Sequence, residues 1–316
     1  MHWFKKRLAQ LKYKIFFKNR LSIQKNSNQL DDIIDINQLP EQLATGFQFT
    51  EGPVWMQSQG ILLFSDIPGN TIYKYSPGIG YSIYRNHSNN SNGLTLDHDG
   101  RLIACEHMTR QVTRTEKDGT LVVLCDKYNG SCLNSPNDVI VKSDGTIYFT
   151  DPTYGIDSQD QEQPVQGVYQ YDPKSEKLIL IIDNLKSPNG LVFSPDEKKL
   201  YVNDSHQDIQ KIYTFELVAN GLVDNQNLFF DLKSKKPGTP DGMKIDIHGN
   251  LFCAGPGGIW IFSSDNQHLG TIILPEIPSN CAWGSPDLRT LYITAQTSLY
   301  AVRTKIPGRL VGAINI

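Results

Sequence analysis

Six side chains that carry oxygen donors recur along the chain: Glu51, Asn92, Asn137, Asn189, Asp241 and Asn280, separated by 41, 45, 52, 52 and 39 residues. Brought together, two carboxylates and four carboxamides make an oxygen-only cavity of charge -2, which suits a hard divalent cation. Calcium is the best match, because it accepts about six to eight oxygens in irregular geometry. Zinc, manganese and magnesium are the alternatives. A single Asn or Asp beside Gly is ordinarily a turn or cap residue. Six of them at one repeat position call for a shared site.

The elements that must position them are visible as a repeat. Six hairpins align by their turns: 51-EGPVWMQSQGILLFSD-66, 92-NGLTLDHDGRLIACEH-107, 137-NDVIVKSDGTIYFTD-151, 189-NGLVFSPDEKKLYVND-204, 241-DGMKIDIHGNLFCAG-255 and 280-NCAWGSPDLRTLYITA-295. A third strand follows each, at 71–76, 111–116, 167–172, 211–217, 258–264 and 298–304, and outer strands fit 121–128, 178–183, 228–232 and 268–274. Many alternate apolar and polar residues, the period of a half-buried strand. The fold expected is all-β, a six-bladed β-propeller of four-stranded antiparallel blades over residues 39–316, preceded by a basic extension and linker over 1–38. Either 44–50 or 309–314 can close the last blade.

In a propeller the innermost strands line the axis, so the six oxygen-bearing residues face one another where those strands begin. Glu51 lies nine residues before Gly60 where the clearest repeats have eight, so its place in the ring is expected to need a bulge. Glu106, Asp151 and Asp204 end second strands, expected at the opposite end, and read as loop caps. Asp138 either turns toward the metal site or fixes its loop. His107 and His206 are candidates for the channel mouth.

With 39% hydrophobic and 20% charged residues and a net charge of -3, the composition is that of a soluble globular protein and gives no reason to expect a nucleic-acid partner. Five cysteines form an odd count without framework spacing, which fits a reducing, cytoplasmic setting. Cys125 and Cys132 could pair across a loop, but free thiols are the ordinary reading. Residues 1–20 hold seven Lys or Arg and no acid, with apolar residues at helical spacing. That pattern allows weak contact with a membrane surface but lacks the apolar run of a signal peptide or a span. Monomer and dimer are both open.

The runs TEGPVW (50–55), LNSPNDVIVKSDGTIYFTDPTYGI (133–156), SPNGLVFSPDEKKLYV (187–202) and PDGMKIDIHGNLFCAG (240–255) resemble the gluconolactonase, regucalcin and senescence-marker-protein family of calcium-dependent lactonases, the gluconolactonase branch most closely. The resemblance implies a six-bladed propeller with one divalent cation held by Glu51, Asn189 and Asp241, and Asn137 as a further ligand or substrate contact. It also implies hydrolysis of a lactone, a sugar-acid lactone such as gluconolactone; Asp241 is then the residue expected to activate water, and Asn92 and Asn280 by their repeat position, with Asn137 and with His107 at the channel mouth, are the residues expected to meet the substrate. Ser135 stands where some members place an Arg that contacts the lactone. Two other functions share this scaffold: hydrolysis of organophosphate triesters, and calcium binding without catalysis.

Overall fold

The computed structural model describes residues 21–309. It is a six-bladed β-propeller. Blade one comprises Thr50–Met56, Ile61–Asp66, Thr71–Ser76 and Gly80–Asn86; blade two Ser91–Leu96, Leu102–Glu106, Gln111–Thr115 and Leu121–Cys125. Blade three is Val139–Val141, Ile147–Asp151, Gly167–Asp172 and Lys177–Ile182; blade four is Pro188–Phe193, Lys199–Asp204, Lys211–Leu217 and Val223–Asp231. Blade five is Met243–Ile245, Leu251–Gly255, Gly258–Phe262 and His268–Ile273, and blade six Pro278–Gly284, Thr290–Ala295 and Ser298–Arg303. Every neighbouring pair is antiparallel, and the first strands of adjacent blades touch around the axis.

Second strands are covered on both faces by neighbouring blades, so they are continuous apolar runs; Leu62, Leu63 and Phe64 are each 0% exposed. The outer strand of blade one faces solvent instead, with Tyr81 and Ile83 exposed. That strand, Gly80–Asn86, was not anticipated, since its polar and glycine-flanked sequence lacks an apolar run.

Glu41–Thr45 supplies the missing outer strand of blade six, pairing with Ser298–Arg303, and the chain then runs directly into the first strand of blade one. Closure is thus N-terminal, a few residues earlier than expected; most of the alternative segment 309–314 lies outside the described residues. The polar segment 22–38, expected as a linker, is instead part of the structure. Ser22–Lys25 adds a fifth strand to blade five, and the single turn Leu30–Ile33 seats Leu30, Ile33 and Ile34 in the core between blades five and six. Leu30 is fully buried, so Leu30→Ala is expected to lower the stability of the whole protein by about 3 kcal/mol, readable as a shifted urea midpoint. A true linker residue would leave that midpoint unmoved.

All five cysteines are free thiols, Cys125 and Cys132 included. Among the described residues, no helix is long and apolar enough to cross a membrane. The basic segment 1–20 lies outside them.

Candidate functional site

The first strands of blades one, two, four and six carry a one-residue bulge where the oxygen-bearing residue sits. The pairs Thr50↔Asp66 and Val54↔Leu63 match Ser91↔Glu106 and Thr95↔Ile103, and Pro188↔Asp204 and Val192↔Tyr201. Glu51 therefore occupies the same register as Asn92 and Asn189, by the bulge all three blades share. The additional residue before Gly60 goes into one further strand pair, Met56↔Ile61, at the far end of the hairpin.

The bulges are locked to one another through the main chain. Ser65 Oγ donates to the Asn92 carbonyl at 2.8 Å, the Gly93 N–H to that of Asn137 at 2.7 Å, Thr150 Oγ1 to that of Asn189 at 2.8 Å and Asn203 Nδ2 to that of Asp241 at 2.5 Å. The Gly242 N–H donates to the Ser279 carbonyl at 2.8 Å and Ser279 Oγ to that of Thr50 at 2.7 Å, which completes the circuit. Glycine after the ring residue makes these approaches possible. A Cβ on Gly52 would lie 2.1 Å from the Asn92 carbonyl oxygen, and one on Gly190 2.2 Å from that of Asp241.

With the carbonyls used, the side chains remain for the axis. Glu51 is buried; its carboxylate accepts the Gly52 N–H at 2.6 Å and Asn280 Nδ2 at 3.1 Å. Burial, and then the charge of Asp138, push its pKa up to about 7. Asn280 is fully engaged, its oxygen accepting from Lys244 Nζ at 3.3 Å and the Cys281 N–H at 2.9 Å. Asn92 pairs with His107 Nε2 at 3.2 Å. The carboxamides of Asn137 and Asn189 make no hydrogen bond among the described residues. Asp241 is half-buried.

Asp138 and Lys244 complete the centre. Asp138 is buried, its Oδ1 accepts the Val139 N–H at 3.0 Å and its Oδ2 has no partner. Burial raises its pKa, while Lys244 and the nearby Leu191 and Asn280 amides oppose the rise. It takes the position that is glycine in four of the other repeats, so its carboxylate reaches into the shared space. Lys244 was missed in the sequence, because a lysine inside an apolar strand resembles a solvated residue; three carboxylates against one ammonium still leave the -2 expected.

Glu106, Asp151 and Asp204 end their strands beside the ring, since an antiparallel strand returns to where its partner began. They nevertheless cap loops: Asp204 accepts the Lys186 and Ser187 N–H groups, Asp151 the Asn134 N–H at 2.8 Å, and Glu106 binds Thr109, Gln111 and Thr113. His206 lies on the following loop beside Asp208. Burial pushes the Asp151 carboxyl up to about 7. A folded state that keeps this proton longer than the unfolded chain loses stability as pH rises from about 4 to about 7, by up to about 1.4 kcal/mol per pH unit. Asp151→Asn is expected to flatten that slope by about one proton in urea titrations across this window, the contribution of Glu51 and Asp138 remaining. An unchanged slope would exclude Asp151 as a titrating group.

At the other end of the axis, Trp55, Trp283, Lys244 and Arg309 line a cavity of about 20 Å³, room for a single water. Arg309 crosses that end to the Ser194 carbonyl at 2.9 Å and Glu197 at 2.7 Å. Among the described residues, that end of the axis therefore has room for about one water and no larger molecule.

A six-bladed propeller with an oxygen-lined ring at one mouth of its axis is the class that fold and site define. The chain belongs to the SMP-30/gluconolactonase/LRE-like family, whose model matches residues 49–297. It is 37% identical to the gluconolactonase of Zymomonas mobilis over 90% of this chain and 87% of that one. The structure of a gluconolactonase from Xanthomonas campestris superposes with a TM-score of 0.83 at 31% identity, covering 90% of this chain and 94% of the other. Regucalcin of Agrobacterium tumefaciens, described as a calcium-binding protein, shares the fold at a TM-score of 0.74 and 17% identity, over 87% and 97% of the two chains.

Among the described residues, no three His, Cys, Asp or Glu side chains form a metal-holding group. The set is mixed instead, two acids with amides, and its state fits an oxygen-liganded ion: Glu51 is buried against Asp138, Asp138 Oδ2 is orphaned, and two carboxamides lack partners.

Proposed function

We propose that the chain hydrolyses a lactone, a sugar-acid lactone such as gluconolactone, with a divalent cation, calcium foremost, at the ring. Its class, carboxylic-ester hydrolase, is that of the gluconolactonase and pentonolactonase relatives. The observation that carries the proposal is the buried, repelling pair Glu51 and Asp138, with Asp138 Oδ2 unpartnered, beside the carboxamides of the ring. The calcium-binding regucalcin of the same fold supports the choice of ion.

Glu51, Asn189, Asp241 and Asn137 would hold the cation, and Asn280, fixed by Lys244, keeps the Glu51 carboxylate in place. Bound there, the ion supplies Lewis-acid polarisation of the lactone carbonyl. Asp241, half-buried at the mouth, takes the proton of the attacking water. Asn137 and the Asn92–His107 pair orient the lactone. The test is acid release from gluconolactone by protein stripped with a chelator, then resupplied with calcium, magnesium, manganese or zinc. Turnover should vanish and return with calcium. Undiminished turnover in chelator would reject the cation, and hydrolysis of phosphotriesters in preference to lactones would reject the substrate.

A further inference from the structure

We propose that Tyr154 is a substrate-recognition residue, forming one wall of the mouth against which the hydroxyl groups of the substrate are read; this rests on the lactone hydrolysis proposed above. Tyr154 lies in the 15-residue connection 152–166 between the second and third strands of blade three, long for a hairpin loop. Such a loop ordinarily needs something to hold it.

Ser135 supplies one anchor. Its hydroxyl donates to the Pro152 carbonyl at 2.8 Å while its oxygen accepts the Gly155 N–H at 2.9 Å. A side chain so committed is not available to a ligand, and recognition must come from elsewhere. Gly155 provides the second anchor, seated so closely on His107 of blade two that a Cβ would lie 2.7 Å from the His107 Cβ. Thr153 adds a third through its N–H to Gln166 Oε1 at 3.2 Å.

From that tethered base Tyr154 reaches the opposite way, toward blades four and five. Its hydroxyl hydrogen-bonds with Ser205 and Ser187 and lies within the field of the Asp241 and Asp204 carboxylates. Tyr154 as a whole nevertheless keeps 38% of its surface in solvent. A part-exposed tyrosine whose tip lies among polar groups beside the proposed base offers both a donor and a flat apolar wall to whatever occupies the mouth. A polyhydroxylated ring, with polar edges and C–H faces, is the ligand chemistry that uses both. Ser187, Ser205 and Thr239, whose hydroxyls cluster there, extend the polar edge.

The test compares two lactones of the same ring size, glucono-δ-lactone with its hydroxyls and δ-valerolactone without them. Tyr154→Phe is expected to lose about tenfold in kcat/KM on the hydroxylated lactone, chiefly through KM, and less than about threefold on the bare one. Tyr154→Leu, which removes the wall as well, should widen the gap and guards against a fault peculiar to one variant. Equal losses on both lactones, or none on either, would overturn the assignment and leave Tyr154 a tether of its loop. Wild-type protein inactive on both lactones overturns the proposed hydrolysis, and this inference with it.

Discussion

Asp241→Asn should lower turnover on gluconolactone by about a thousandfold or more, the loss expected when a proton acceptor at the reacting water is removed. The fold should survive, because Asp241 is held through its main chain: its N–H donates to the Ala254 carbonyl at 2.9 Å and its own carbonyl accepts from Asn203 at 2.5 Å. Removing one charge from a ring that contains Glu51 and Asp138 also relieves repulsion, so the metal-free variant should melt no lower than wild type. Calcium should still bind, more weakly, through the remaining oxygens. Glu51→Gln provides the contrast. Glu51 is buried and bonded to Gly52 and Asn280, a holding position, so its loss should appear as reduced calcium affinity that excess calcium repairs. Asp241→Asn should not be repaired at any calcium concentration. Calorimetric calcium titrations beside kinetics at saturating metal separate the two, and an Asp241→Asn enzyme that recovers full turnover with calcium would reduce Asp241 to a ligand.

The blades could be read from the chain because each repeats one local pattern, a short apolar strand, a polar turn and a second apolar strand. The ring could be read because equal repeat positions must meet on a closed axis. What escaped the reading shares a different physical origin. Ser22–Lys25 and Leu30–Ile33 look like a linker since their neighbours in sequence are polar, and only blades five and six, nearly 250 residues away, make Leu30 and Ile34 a core. Lys244 looks like a surface residue of a half-buried strand; its partner Asn280 belongs to the next blade. Tyr154 sits in a loop that belongs to no repeat, so no equivalent position marks it. Periodicity reveals what the repeats share, and the residues that differ between repeats need coordinates.

Gly190→Ala tests how far the ring depends on that shared geometry, and its effect should reach both stability and catalysis. The added Cβ would stand 2.2 Å from the Asp241 carbonyl oxygen and 3.0 Å from Gly242 Cα, both of them main chain of the next blade. No flexible side chain can move aside, so blade four must part from blade five by about 1 Å, and overpacking of this kind costs about 1–3 kcal/mol. The same displacement moves Asp241 relative to Asn189, and a shift of about 1 Å in a reacting group can cost about a hundredfold in rate. Gly60→Ala is the proper control. Its φ of +65° is as unfavourable for alanine as any glycine of the ring, but nothing lies within 4 Å of the new Cβ. That variant should lose about 1–2 kcal/mol from backbone strain alone and keep its turnover. If the two variants lose activity equally, general destabilisation explains both. If only Gly190→Ala fails at a temperature where both are folded, the Asn-Gly step at the start of the strand exists to let one blade touch the next, and the oxygens of the ring are held in place by that contact.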